Sequence, residues 1–106
     1  MPGYIANDGS EHVTSGGSVA TPVAASKASD TIIKASPGRL CRVLVTTTGT
    51  NAMLLYDNAS GHTGTIIGAL PASPAVGNLY DFQMPANAGI TVQGDGNNPG
   101  VTISFM

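Results

Sequence analysis

The sequence lacks tryptophan, has a single cysteine and is poor in charged and aromatic side chains. Charged residues make up 9% of the 106-residue chain and aromatic residues 5%, whereas globular proteins usually contain about 25% charged residues. Because Cys41 is the only cysteine, no disulfide can form within the chain. No apolar run approaches the roughly 20 residues that a membrane-spanning helix needs, so we expect no membrane partner.

Basic residues are also few, which argues against a nucleic-acid partner. The chain has four lysines and arginines in all, and its formal net charge is −2. Proteins that bind the phosphate backbone need several clustered basic side chains, and these are scattered. A surface covered by Ser, Thr, Asn, Ala and Gly loses little charge solvation when another protein covers it. The composition therefore favours an assembled structural protein over a freely diffusing enzyme.

The first 30 residues differ from the rest in composition and in the pattern of apolar residues. They are rich in Gly, Ser, Ala and Thr, and their few apolar residues follow no sustained period. Such a stretch alone does not bury enough surface to offset its ordering entropy. We predict an extended or flexible N-terminal arm over residues 1–30. Two alternatives stay open: a simple tail, or an arm that orders against a partner through Val19, Pro22 and Val23.

Residues 31–106 have the pattern of one small β domain. Short apolar runs rich in β-branched residues are separated by turn residues such as Pro37-Gly38, at a spacing of roughly 8–12 residues that is typical of sandwiches. Seven strands are predicted, at residues 31–36, 40–48, 52–57, 65–70, 79–84, 90–93 and 101–105. The expected fold is all-β, a small β-sandwich or jelly roll of about seven strands. The pattern alone does not separate a jelly roll from an immunoglobulin-like sandwich.

Alternation along the strands predicts which side chains face the core. The predicted buried residues are Cys41, then Tyr80, Phe82 and Met84, and finally Val101, Ile103 and Phe105. Val43 and Val45 share the face of Cys41, and Ile90 and Val92 share one face of their strand. Leu40 and Arg42 fall on the opposite face of their strand. Gly68 is expected at a bulge or a close backbone approach. Short turns predict a hairpin between residues 40–48 and 52–57, and a hairpin loop at residues 94–100.

No arrangement of nucleophiles or metal ligands stands out. Cys41 lies within the most apolar strand, which predicts a buried structural thiol rather than a reactive one. His12 and His62 have no second cysteine or nearby histidine with which to form a zinc site, and His62 is predicted to be an exposed loop residue. We therefore expect no metal, no cofactor and no catalytic residue.

The carboxylates and arginines give two further hypotheses. Asp57 and Asp81 could in principle act as paired acids, but Asp57 begins a turn, which it is expected to cap, and Asp81 lies on the polar side of its strand. Asp95, in a Gly/Asn-rich loop, is predicted to form a turn rather than a calcium site, because the EF-hand pattern is absent. Arg39 and Arg42 lie among leucines, which makes them candidate interface anchors; the alternative is a solvated edge.

From Lys34 to Phe105, the segments KASPGRLCRVLVTTTGTNAMLLYDNASG and AGITVQGDG resemble small β-rich structural proteins of tailed-bacteriophage virions. The resemblance is greatest to head decoration, or cementing, proteins. It implies a homo-oligomer, a trimer or dimer, whose partner is the major capsid protein. It also implies a location in the virion on the outer capsid surface, with which the negative net charge agrees. No motif allows the transfer of individual functional residues.

The sequence therefore favours a non-enzymatic virion protein that binds and stabilises the head exterior. A protein that binds only the assembled shell stabilises it by mass action. One alternative is a tail, collar or fibre subunit of the virion, which composition does not separate from a decoration protein. Another is a carbohydrate-binding β-sandwich module, although such modules usually display exposed aromatic rings and only three tyrosines are present.

Overall fold

The computed structural model describes residues 17–106, in which every regular element is a β-strand. The strands are β1 Val19–Val23, β2 Thr31–Lys34, β3 Gly38–Thr47, β4 Met53–Tyr56, β5 Ile66–Leu70, β6 Leu79–Ala86, β7 Ile90–Val92 and β8 Gly100–Phe105. All seven predicted strands are present, and β1 is an eighth.

The strands form two four-stranded antiparallel sheets that pack face to face. The first sheet has the order β1-β8-β3-β6 and the second the order β2-β7-β4-β5. The pairs are nested, because β1 pairs with β8, β2 with β7, β3 with β6 and β4 with β5. This is the winding of a jelly roll, in which a long folded ribbon wraps around one core. The predicted all-β sandwich is confirmed, and the strand order selects the jelly roll.

The two predicted hairpins are wrong. β3 and β4 lie in different sheets, and so do β7 and β8. Of the seven connections between the described strands, only the one from β4 to β5 joins neighbours within a sheet. The short segments before β4 and before β8 therefore cross from one sheet to the other. They contact each other, since the backbone N–H of Asn51 donates to the carbonyl of Asn97 at 3.2 Å.

The core lies between the sheets and is aliphatic. Its buried residues from the first sheet are Val23, Leu40, Val43, Val45, Ala86, Val101, Ile103 and Phe105, and those from the second are Met53, Leu55, Ile67, Leu70, Ile90 and Val92. The predicted inward residues of β8 are confirmed. Tyr80 and Phe82 pack against this cluster with their rings 6.4 Å apart.

Irregularities in β3 and β6 overturn two of the facing predictions. The β3 register shifts between Leu40 and Arg42, so that Leu40 and Cys41 are both fully buried. On β6, Gln83 adopts a left-handed conformation with φ of 50°. The alternation restarts after it, and Met84 is 39% exposed rather than buried. A bulge of this kind adds one residue to a strand and reverses the facing of the residues beyond it.

The sandwich begins at β1, inside the segment for which an arm was predicted. All five residues of β1 pair with β8, and Val23 is part of the core. Asn98 holds the segment after β1 in place: it is 1% exposed, accepts a hydrogen bond from the backbone N–H of Lys27 at 2.8 Å and donates to the carbonyl of Ala24 at 3.1 Å. Residues 1–16 of the predicted arm lie outside the described residues.

Gly68 makes the close approach that its position in β5 predicted. A β-carbon at this residue would lie 2.9 Å from Cδ2 of Leu40 and 3.2 Å from Cδ1 of Leu55. The β4–β5 register also shifts between Leu55 and Tyr56. The missing side chain at Gly68 therefore lets β5 fit closely over the core.

Candidate functional site

The single cysteine lies inside the core. Cys41 has no exposed surface, and its Sγ lies 3.8 Å from the carbonyl oxygen of Arg39. A reactive thiol needs access from solvent and an electropositive environment that stabilises the thiolate. The prediction of a buried structural cysteine is confirmed.

His62 and Asp30 connect three loops at one edge of the second sheet. Nδ1 of His62 lies 2.5 Å from Oδ2 of Asp30, and Oδ1 of Asp30 accepts a hydrogen bond from the backbone N–H of Gly94 at 3.1 Å. Burial opposes ionisation of Asp30, but the hydrogen bonds and the nearby imidazole outweigh it and lower its pKa. His62 is exposed, as predicted. His12 lies outside the described residues.

Asp57 and Asp81 serve different sheets and do not form a catalytic pair. Asp57 follows β4, and its Oδ1 accepts hydrogen bonds from the backbone N–H groups of Ala88 at 2.8 Å and Gly89 at 3.4 Å. Backbone hydrogen bonds, that of Ala88 foremost, lower the pKa of Asp57. Asp81 lies on β6, where its Oδ2 is 3.8 Å from Nε of Arg42. Asp57 therefore caps a turn, but that turn is distant in sequence and is not the local one that Asp57 was predicted to cap.

Asp95 and Asn58 also hold loops. Asp95 accepts hydrogen bonds from the backbone N–H of Asn97 at 2.9 Å and from the side-chain amide of Asn51 at 3.0 Å. These bonds, that from Asn97 first, lower the pKa of Asp95. Oδ1 of Asn58 accepts a hydrogen bond from the backbone N–H of Ser60 at 2.8 Å. All four aspartates between residues 17 and 106 are therefore bound to groups of their own chain.

A shallow depression lies beside the loops that cross between the sheets. It has a volume of about 290 Å³ and is lined by Ser26, Thr48, Gly49, Thr50, Ser73 and Asn97. This lining offers hydroxyl and amide groups without an aromatic ring or an ionisable side chain. Within residues 17–106, no three His, Cys, Asp or Glu side chains are grouped to hold a metal ion. The same part of the chain has no helix with the length and hydropathy to span a bilayer.

The outer face of the first sheet carries a pair of exposed leucines. Leu44 on β3 and Leu79 on β6 are cross-strand neighbours, and they are 38% and 56% exposed. Thr102 of β8 lies beside Leu44, and Pro22 of β1 lies beside Thr102. Because directly opposite residues in antiparallel strands share a face, these four side chains form an uncharged row across the whole sheet.

The next row contains a single ion pair. Arg42 of β3 lies between Asp81 of β6 and Ser104 of β8, and Ala20 of β1 follows Ser104. The backbone N–H of Arg42 donates to Oγ of Ser104 at 3.1 Å. The polar groups of this row are thus bonded to one another. We call the two rows together the outer face.

The predicted interface residues are spread over the first sheet. Val19 and Pro22 lie on the edge strand β1 and are exposed, whereas Val23 on the same strand is 4% exposed within the core. Arg42 lies on the outer face. Arg39, near the start of β3, donates from Nη2 to the sulfur of the final methionine at 3.2 Å.

Sequence reasoning did not select Leu44 and Leu79 as interface residues. Their signal was a large apolar side chain at a position that alternation directs to solvent.

Comparison of the chain with protein families, curated proteins and solved structures finds no match.

Proposed function

We propose that this protein is a non-enzymatic structural subunit of a bacteriophage virion, a decoration protein that binds and stabilises the outside of the head. The observation that carries the proposal is that the described aspartates interact with groups of their own chain. Each described aspartate caps a loop or pairs with a basic group, while the outer face keeps one internal ion pair. A protein that covers this face desolvates little unpaired charge.

The lowered carboxyl pKa values agree with a structural role. A general acid that works near neutral pH needs a raised pKa, whereas the pKa values of Asp30, Asp57 and Asp95 are lowered. Their carboxylates stay ionised and act as hydrogen-bond acceptors. This agrees with their use as loop caps.

The jelly-roll winding supports the proposal by analogy of fold. Jelly rolls occur in viral capsid domains and also in lectins, and fold alone does not assign function. The resemblance of residues 34–105 to head decoration proteins favours a capsid role over a lectin role. In this role the protein is a homo-oligomer, its partner is the major capsid protein and its location is the outer capsid surface.

The lectin analogy keeps the carbohydrate-binding module as the second candidate. The hydroxyl-lined depression is its best supporting feature. Tyr56 and Tyr80, the two described tyrosines, are both only partly exposed, whereas sugar platforms need an open ring face. Specific binding on a glycan array, lost in a Thr50→Trp variant that fills the depression, would favour this candidate.

The test is to measure the copy number of the chain in purified virions and its binding to emptied heads. A decoration protein is present at hundreds of copies per particle and co-sediments with expanded heads, whereas a tail, collar or fibre subunit is present at far fewer and does not. Virions that contain no copy of the chain would overturn the proposal. A variant that lacks residues 2–16 keeps β1 and so tests the arm alone: equal binding by this variant would exclude an arm contact from that segment.

A further inference from the structure

We propose that two copies of this chain associate through the outer face, with Leu44 of one copy packed on Leu79 of the other. The inference rests on the proposed function, in which the chain works as an oligomer, and it assigns the surface and the partner. It begins from the distribution of exposed apolar residues. Leu79 is 56% exposed, its neighbour Leu44 38%, and Val76, just before β6, 62%.

These three residues belong to one continuous part of the first sheet. The turn that contains Val76 extends the β3–β6 ladder. The backbone N–H of Gly77 donates to the carbonyl of Val45 at 2.8 Å, and the backbone N–H of Val45 donates to the carbonyl of Asn78 at 2.9 Å. The ladder then continues into the Leu44–Leu79 pair. The other exposed large apolar side chains on strands β1, β2 and β5 are Val19, Ile32 and Ile66, so none of those strands presents such a pair.

Covering this face desolvates few polar groups, because most of those in its two rows interact with one another. Ser104 is bonded to the backbone of Arg42, and Arg42 is paired with Asp81. The Leu44 row has only the Thr102 hydroxyl as a polar group. An interface over this face therefore limits one penalty of association, the desolvation of polar groups that stay unpaired.

The charges of the outer face are complementary to those of a second copy. In a two-fold interface, residue i of one copy meets residue j of the other, and j meets i. A two-fold axis parallel to the strands and midway between β3 and β6 places each β3 residue over the β6 residue at the same level. Arg42 then faces Asp81 of the second copy, and Leu44 faces its Leu79. The same two-fold rotation brings both pairs of residues into contact, because both are opposite residues of β3 and β6 in register.

The interface is small, so the dimer is weak. Because the axis lies between β3 and the edge strand β6, only these two strands of each copy overlap. Two strands about 4.8 Å apart, with five residues of about 3.3 Å each, span roughly 160 Å² of flat face, whereas each partner in a standard interface contributes about 800 Å². We therefore expect a weak, reversible dimer with a dissociation constant of about 1 mM, which many copies on a surface would favour by their local concentration.

The test is sedimentation of the purified full-length protein from about 10 μM to about 1 mM, the range over which such an interface dissociates. The wild type shifts from monomer towards dimer. Leu79→Asp weakens the dimer by at least about tenfold, because it buries a carboxylate without a partner. The matched control is Ile66→Asp, since Ile66 is 48% exposed on the outer side of the other sheet, and it leaves the association unchanged.

A charge reversal tests the geometry and does not depend on the folding of the leucine variant. Arg42→Asp and Asp81→Arg each weaken the dimer, because each places like charges together across the axis. The double variant restores the association to within about threefold, as expected of a pair whose complementarity is regained. Circular dichroism confirms that each variant is folded.

Three results would overturn the inference. The first is a wild-type protein that stays monomeric at the highest concentration, the second is equal weakening by Leu79→Asp and Ile66→Asp, and the third is a double reversal that stays as weak as the single ones. If the wild type is monomeric alone and Leu79→Asp abolishes binding to heads, the outer face contacts the shell. That result rejects the dimer and retains the proposed function.

Discussion

Replacement of Asn98 by alanine tests whether one buried amide holds β1 to the rest of the jelly roll. The Asn98 side chain accepts a hydrogen bond from the N–H of Lys27 and donates to the carbonyls of Ala24 and Pro99. These bonds link the segment between β1 and β2 to the segment between β7 and β8. With 1% of its surface exposed, Asn98 has no access to water that could replace them.

The size of the effect follows from the groups left without partners. Alanine removes the partners of the Lys27 N–H and the Ala24 carbonyl, and each unsatisfied group costs about 1–3 kcal/mol. Lys27 and Ala24 retain some exposure, so the lower half of this range applies. The free energy of unfolding should fall by about 2–4 kcal/mol, which for a domain of this size lowers Tm by about 10–30 °C.

The assay is urea and thermal unfolding followed by far-UV circular dichroism, with Asn97→Ala as the matched control. Asn97 is the exposed neighbour, and its backbone makes the hydrogen bonds of this loop, so its replacement should change the free energy of unfolding by less than about 0.5 kcal/mol. Equal stability of the two variants would refute the role of the Asn98 amide in holding β1 to the rest of the domain. A drop in the urea slope m for Asn98→Ala would show instead that β1 detaches before the remaining strands unfold.

Three further predictions concern the core and the loop caps. Because the pKa of Asp57 is lowered from 3.8, its stabilising effect is complete above the unfolded value and is lost as pH falls through the folded one; urea midpoints should therefore fall below about pH 4, and less steeply in Asp57→Asn than in the wild type. Ellman's reagent should modify Cys41 in urea but not in the native protein, since the thiol is fully buried; rapid native modification would contradict this. Gly68→Ala should destabilise by about 1–2 kcal/mol through its contact with Leu40, whereas Gly61→Ala, which meets open space, should not; equal unfolding midpoints would remove the packing argument.

The sequence located the strands well but not their partners. Alternation and turn residues identified all seven strands between residues 31 and 106, because each signal is local. The partner of a strand in a jelly roll is decided by long-range packing, so the short loop before β4 gave a false hairpin. β1 was missed for the same reason: VATPV has a weak pattern of its own and is stabilised by pairing with β8, eighty residues later.

The candidate site was predictable only in part. Burial of Cys41 followed from residue type and position, as did a capping role for Asp57, though not the distant turn that it caps. The role of Asn98 did not, because an Asn-rich loop indicates a turn and does not show which amide is buried. Bulges at Cys41 and Gln83 were equally hidden, since one extra residue reverses the facing of all that follow. The exposure of Leu44 and Leu79 was available from alternation, and their adjacency required the register.

The scarcity of charge and the jelly-roll winding are connected. Six of the seven connections cross between the sheets, and each crossing interrupts the regular ladders and leaves backbone groups that need partners. Asp30, Asp57 and Asp95 supply acceptors to such segments, and their lowered pKa values record that use. The carboxylates thus stabilise loops, and the outer face of the first sheet has one internal ion pair, Arg42–Asp81, beside a row of uncharged side chains. The proposed dimer uses this surface, so the state of association in solution is the measurement that decides between a dimer contact and a contact with the shell.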